Sequence, residues 1–212
     1  LWSPTGDYAG GRDKLGLGLP PHSDSPYTES GHQRWPHTES GRRDWALART
    51  KVVFIFAGRE YRFLSGQFAD PKPIIGSIFA SYAGLGGIYI PFTAEPHVNN
   101  DVPEFVLPFN ACHEVAHQRG VAREDEANYV GFRVARDYGD PDFVYSAYFG
   151  IDGHVVSALQ QVDPELARKI WDRRSPALKA DGAAYRKWHE TRQSRLRGVS
   201  DAVNSAYLKS NG

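Results

Sequence analysis

The sequence predicts an α+β fold, with a small antiparallel or mixed sheet followed by a mostly helical C-terminal half. Three observations carry this. A short β-branched and aromatic run, Ile88-Tyr89-Ile90-Pro91-Phe92-Thr93, follows the glycine cluster Gly84, Gly86 and Gly87 and reads as a strand. From Phe109 onward, apolar residues recur at helical spacing. Beyond the helix stop at Gly120, that helical half has breaks at Gly139-Asp140-Pro141, Asp163-Pro164 and Ser175-Pro176.

Residues 1–45 form an irregular N-terminal arm on this reading, and 46–212 the folded domain. The arm is rich in Gly, Pro, Ser, His and charge, with few aliphatic residues after Leu19. It carries a near-repeat, Thr28-Glu29-Ser30-Gly31 with Trp35 and Thr38-Glu39-Ser40-Gly41 with Trp45. Two copies are too few for a repeat architecture and suggest tryptophans that dock a loose arm onto the domain.

Residues 46–70 mix apolar and basic side chains around Val52–Phe56, so helix and strand compete there. Ile74, Ile75, Ile78, Phe79 and Tyr82 have helical spacing, ended by the glycines from 84 to 87. Pro91 lacks an amide donor, which places the following strand at a sheet edge. Pro108 announces a helix over about 109–119 with Gly120 as its stop, and a second helix follows over about 123–138.

Lys+Arg and Asp+Glu both number 25, for a formal net charge of zero, which argues against nucleic acid as a partner. The single cysteine, Cys112, excludes an internal disulfide framework and a cysteine-rich zinc site. No apolar run approaches the ~20 residues of a spanning helix. The chain begins with Leu1 and contains no methionine, so it reads as a fragment or processed form of a longer protein.

The chemistry centres on His113-Glu114-Val115-Ala116-His117, an HExxH pattern inside the first of the two helices. Residues four apart share a helical face, so His113 and His117 can offer ring nitrogens to one metal ion. Glu114 lies about 100° round the axis, off the ligand face but within reach of a water. Two zinc ligands plus a general base is what this spacing supports. Apolar neighbours Phe105, Val106, Leu107 and Phe109 bury the helix, and buried polar groups need a partner such as a metal. Two surface histidines on an ordinary helix is the competing reading.

A catalytic zinc site needs a third protein ligand and an open position. Cys112 points off the histidine face and reads as a packed small residue. The metzincin pattern HExxHxxGxxH would require a ligand at position 123, where Arg123 stands. The next acids are Glu124, Asp125 and Glu126. Gluzincins carry a glutamate on a second helix with an aspartate four residues on. Glu124 and Asn128 have that spacing, so Glu124 is favoured and Glu126 is the alternative ligand. Asn128 would orient a ligating histidine. Asp125 suits helix N-terminal charge instead.

With these residues in view, the chain resembles an uncharacterised bacterial family of membrane-anchored, zincin-like proteins known only as a domain of unknown function. The resemblance covers roughly Pro71 to Gly212. It rests on Gly87 to Glu95, Pro108 to Gly120 and Ala122 to Asn128, with weaker matches at Tyr145-Ser146 and Tyr207-Leu208-Lys209. It implies a zincin-like fold of gluzincin type, a Zn2+ cofactor, a peptide or protein substrate, and membrane attachment through segments absent from this chain. Where the family pattern has aspartate this chain has Asn128, which can orient an imidazole without adding charge.

The expected function is therefore a zinc-dependent hydrolase, a metallopeptidase with Glu114 as general base. Tyr145, Tyr148 and His154 are candidate oxyanion donors, with ordinary packing or surface exposure as the competing reading for each. Arg123 would pair with a nearby acid. The Ile88–Thr93 strand would pair with an extended substrate, with Glu95 and His97 lining the cleft. Two alternatives stand beside this: a non-catalytic zinc-stabilised interaction or sensor domain, and a metal-dependent amidase acting on cell-wall material. Oligomeric state and side of the membrane are not legible.

Overall fold

A computed structural model describes residues 38–192. Most of the expected arm, residues 1–37, and the Tyr207-Leu208-Lys209 match lie outside the described residues.

The first helix, α1, spans Glu39–Glu60. Its buried positions, Ala46, Leu47, Thr50, Val53, Phe54 and Ala57, recur at three- and four-residue steps, and this period decides the ambiguous segment in favour of helix. Helix thus begins seven residues before the expected domain start, and Trp45 lies within it, its ring 6.1 Å from that of Phe143. A 3-10 turn at Arg62–Leu64 then buries Leu64.

The sheet has three strands, β1 (Lys72–Pro73), β2 (Gly87–Ile90) and β3 (Glu95–Val98), in the order β1-β3-β2. β3 is central, parallel to β1 and antiparallel to β2. β2 is an edge strand, as Pro91 requires, and pairing stops at Ile90, just before the proline. β3 gave no strand signal because Glu95-Pro96-His97-Val98 is short, polar and proline-containing. Between β1 and β2 lies α2, Ser77–Tyr82, ended at Gly84 with φ 72°.

The helical half comprises α3 (Leu107–Gln118), α4 (Glu124–Tyr138), α5 (Pro141–Val162), α6 (Pro164–Asp172) and a helix over 176–192, here α7. Its joints match the sequence breaks for local reasons. Asp140 and Asp163 cap α5 and α6 by accepting from the amides of Asp142 and Leu166, each followed by proline in the first turn.

One core joins α1, α3, α4 and α5 through Val53, Phe54, Leu64, Cys112, Val115, Val134, Tyr138 and Phe143. A second joins the start of α3 to β3 through Leu47, Val98, Val102, Val106, Leu107 and Ala111. Cys112 is fully buried in the first, where desolvation pushes its thiol pKa well up, so it packs as a small apolar residue. Among the described residues no helix is long and apolar enough to cross a membrane.

Candidate metal centre

Both histidines stand on α3, which is clamped at each end. At its start the Phe109 amide donates to the buried Ser146 hydroxyl on α5, 2.9 Å away. At its end Gly120, φ 92°, turns the chain in a Schellman arrangement. The Gly120 amide donates to the His117 carbonyl and the Val121 amide to that of Ala116. That turn brings the Val121 carbonyl 2.7 Å from Nδ1 of His117. A carbonyl only accepts, so Nδ1 of His117 is the donor and Nε2 is the nitrogen left available as a ligand.

α4 crosses α3 closely enough that a side chain at Gly131 would sit 3.1 Å from the His113 amide nitrogen. This crossing brings Glu124, the first residue of α4, over the two imidazoles. His113 Nε2 and His117 Nε2 are 3.0 Å apart, and Glu124 lies 3.1 Å from the first and 3.4 Å from the second. The three donor atoms fall within 4.8 Å of one another. Two imidazole nitrogens and one carboxylate oxygen this close together are a donor set that could hold a divalent metal ion. Burial lowers the pKa of His113, and neighbouring His117 lowers it further, which favours the neutral, ligating ring; Glu124 and Asn128 act the other way.

Glu114 is 5% exposed. Its side chain lies against Gly87 of β2, where a Cβ would come within 2.5 Å of Cγ and Oε1. Burial, and secondarily the charge of Glu124, push its pKa up to about 8, while the Tyr89 backbone amide works in the opposite direction. His113, Glu114, His117, Glu124 and Asn128 all face one cleft of about 1470 Å³. Its walls include β2 residues Gly87 to Tyr89 and side chains from α5, α6 and α7.

The family model that matches residues 33–212 is the one described as Protein of unknown function (DUF3810). The chain belongs to that family. No curated protein and no solved structure matches it.

In this DUF3810 chain the remaining candidates sort clearly. Glu126 does not reach the histidines; it faces Arg123 at 3.6 Å and lines a separate shallow hollow, because it lies two residues round α4 from Glu124. Arg123 pairs with Asp125 at 2.8 Å, as expected. Asn128 lies beside His113 as a side-chain hydrogen-bonding neighbour, in the position expected of an orienting group, although Nδ1 of His113 makes no hydrogen bond of strict geometry.

Tyr145 does not line the cleft. Its hydroxyl donates to Asp181 and its ring packs on Phe105 and Phe149, because it sits on the flank of α5 facing α7. Tyr148 stacks edge-on with Phe132, also outside the cleft. His154 does line the cleft, as an exposed residue of α5. Glu95 and His97 fall outside the cleft lining: Glu95 bridges Lys72 and His97 on the sheet instead.

Sequence reasoning missed Gly87, Ser146 and the Val121 carbonyl. In the sequence Gly86 and Gly87 belong to a helix stop and Gly87 opens a family match, and neither feature points to a contact with Glu114. The close approach of a strand to a helix is the other standard cause of glycine at a strand start.

Proposed function

We propose that this chain is a zinc-dependent hydrolase of zincin-like, gluzincin type that cleaves peptide bonds. The observation that carries the reading is the convergence of His113, His117 and Glu124 beside a buried Glu114 at the floor of an open cleft. The residues present fit zinc. His117 has its tautomer set by the Val121 carbonyl, and among the described residues no fourth protein ligand joins the group, which leaves a position for solvent or substrate. Zinc bound there would supply a Lewis acid for water and for an acyl carbonyl.

The chain's own groups supply the rest. Glu114, held between α3 and β2, accepts the proton of the attacking water and returns it to the leaving amine. Its elevated pKa reflects burial first and the charge of Glu124 second; a divalent cation held by the neighbouring donors would act the other way and favour the carboxylate. β2 is an edge strand lining the cleft, so an extended peptide can add to it by backbone pairing.

The test pairs wild type with E114Q. Both should contain one zinc per chain by elemental analysis, and only wild type should cleave a diverse peptide library in a chelator-sensitive manner. A purified, folded wild-type chain that binds no transition metal would refute the proposal.

A further inference from the structure

The cleft extends well beyond the metal centre, to a wall built by α6 and α7. On α7, Leu178, Gly182, Tyr185 and Arg186 recur at three- and four-residue steps and all face the cleft. α6 contributes Trp171. Two guanidinium groups lie against that indole, Arg174 at 4.7 Å and Arg186 at 5.5 Å from the ring centroid.

The two cations differ in one respect. Arg174 is neutralised, its Nη2 lying 2.6 and 2.5 Å from the two carboxylate oxygens of Asp152. Arg186 makes no ion pair with any acid among the described residues. Arg186 is exposed, yet its side chain has a defined seat. Its guanidinium is seated on Trp171 and lies over Gly182, where a Cβ would be 3.5 Å from Nη1. A planar donor fork held by an aromatic face, facing a cleft and lacking a counter-charge, suits bidentate recognition of a carboxylate.

We propose that Arg186, braced by Trp171, is a specificity-determining residue that binds a carboxylate of the substrate away from the bond that is cut. The ligand chemistry is a peptide carboxylate, supplied either by an acidic side chain or by the chain terminus. This rests on the hydrolase reading for its biological meaning, but the binding itself is separable from turnover.

The experiment uses the full chain carrying E114Q and loaded with zinc, with and without R186Q or R186K. Fluorescence anisotropy reports its affinity for three fluorescein-labelled peptides of one sequence: a Gln-containing peptide amide, the same amide with Glu in place of Gln, and the Gln peptide with a free C-terminal carboxylate. At least one carboxylate form should bind about tenfold more tightly than the neutral amide. R186Q should erase that preference, and R186K, which keeps charge without the fork, should retain part of it. Which carboxylate form gains identifies its source. Equal or undetectable binding of all three peptides, or a preference that survives R186Q, overturns the proposal. Library cleavage by the chain with Glu114 intact tests the hydrolase reading separately, so a failure of either is recognised as its own.

Discussion

Gly87 and Glu114 share a contact that no other residue at position 87 can make. The Cγ, Cδ and Oε1 atoms of Glu114 occupy the space where a side chain would begin, at 2.5, 2.7 and 2.5 Å from an added Cβ. The edge strand and the proposed general base are thereby fitted to each other: the strand that lines the cleft also fixes where the carboxylate stands.

G87A should therefore separate metal binding from catalysis. The added methyl displaces the Glu114 side chain and leaves His113, His117 and Glu124 in place. Zinc content should stay at the wild-type level, while kcat/KM on a cleaved peptide falls by about 10²-fold or more, the scale of a lost general base. Loss of zinc together with activity would show that β2 instead supports the ligands.

For the third ligand of the proposed zinc site the sequence offers two candidates, and the structure brings one of them to the histidines. Glu124 reaches both imidazoles, whereas Glu126 pairs with Arg123. Groups beyond the ligands themselves cost 10- to 100-fold in metal affinity when removed, so E124A should lower zinc affinity by at least about 100-fold. E126A should leave it unchanged. Competition titration with a chromophoric chelator measures both.

Much of this site was legible in the sequence because its signals are local. The four-residue spacing of His113 and His117, the stop at Gly120 and the start of α4 near Glu124 all follow from helix periodicity and capping. So do the breaks at 139–141, 163–164 and 175–176. What stayed hidden depends on contacts between distant segments. β3 is held by pairing on both sides, against the propensity of Glu95-Pro96-His97-Val98. Tyr145 follows the site in sequence, yet the packing of α5 on α7 turns it to Asp181. Ser146, its neighbour, faces α3 and supports the helix that carries both histidines, a role that no periodicity at that position reveals.

S146A tests that support. Ser146 is fully buried, and its hydroxyl receives the Phe109 amide at the start of α3, a donor with no partner inside the helix. Removing the hydroxyl leaves that amide unsatisfied in the core, which costs about 1–3 kcal/mol. Urea unfolding should show a lower midpoint with an unchanged slope. Zinc affinity should fall only slightly, since the donor cluster lies one to two turns further along the helix.

Asp101 sets an acid limit on the wall that carries Arg186. Its carboxylate accepts two hydrogen bonds of 2.8 Å from the Arg192 guanidinium, and its backbone carbonyl accepts 2.7 Å away from the Trp188 indole, so α7 is tied to the loop before α3. The Arg192 hydrogen bonds hold the Asp101 pKa below its usual value, against partial desolvation. The folded state thus favours the ionised form. The stability it contributes is present above the ordinary aspartate pKa near ~4, and it is lost as pH falls through the lower, folded-state value. Urea midpoints of wild type should decline below about pH 4. D101N should unfold at a lower midpoint near neutrality, by about 1–3 kcal/mol, and should show a shallower decline in the acid window. If D101N and wild type lose stability in parallel below that pH, the Asp101–Arg192 pair does not anchor α7.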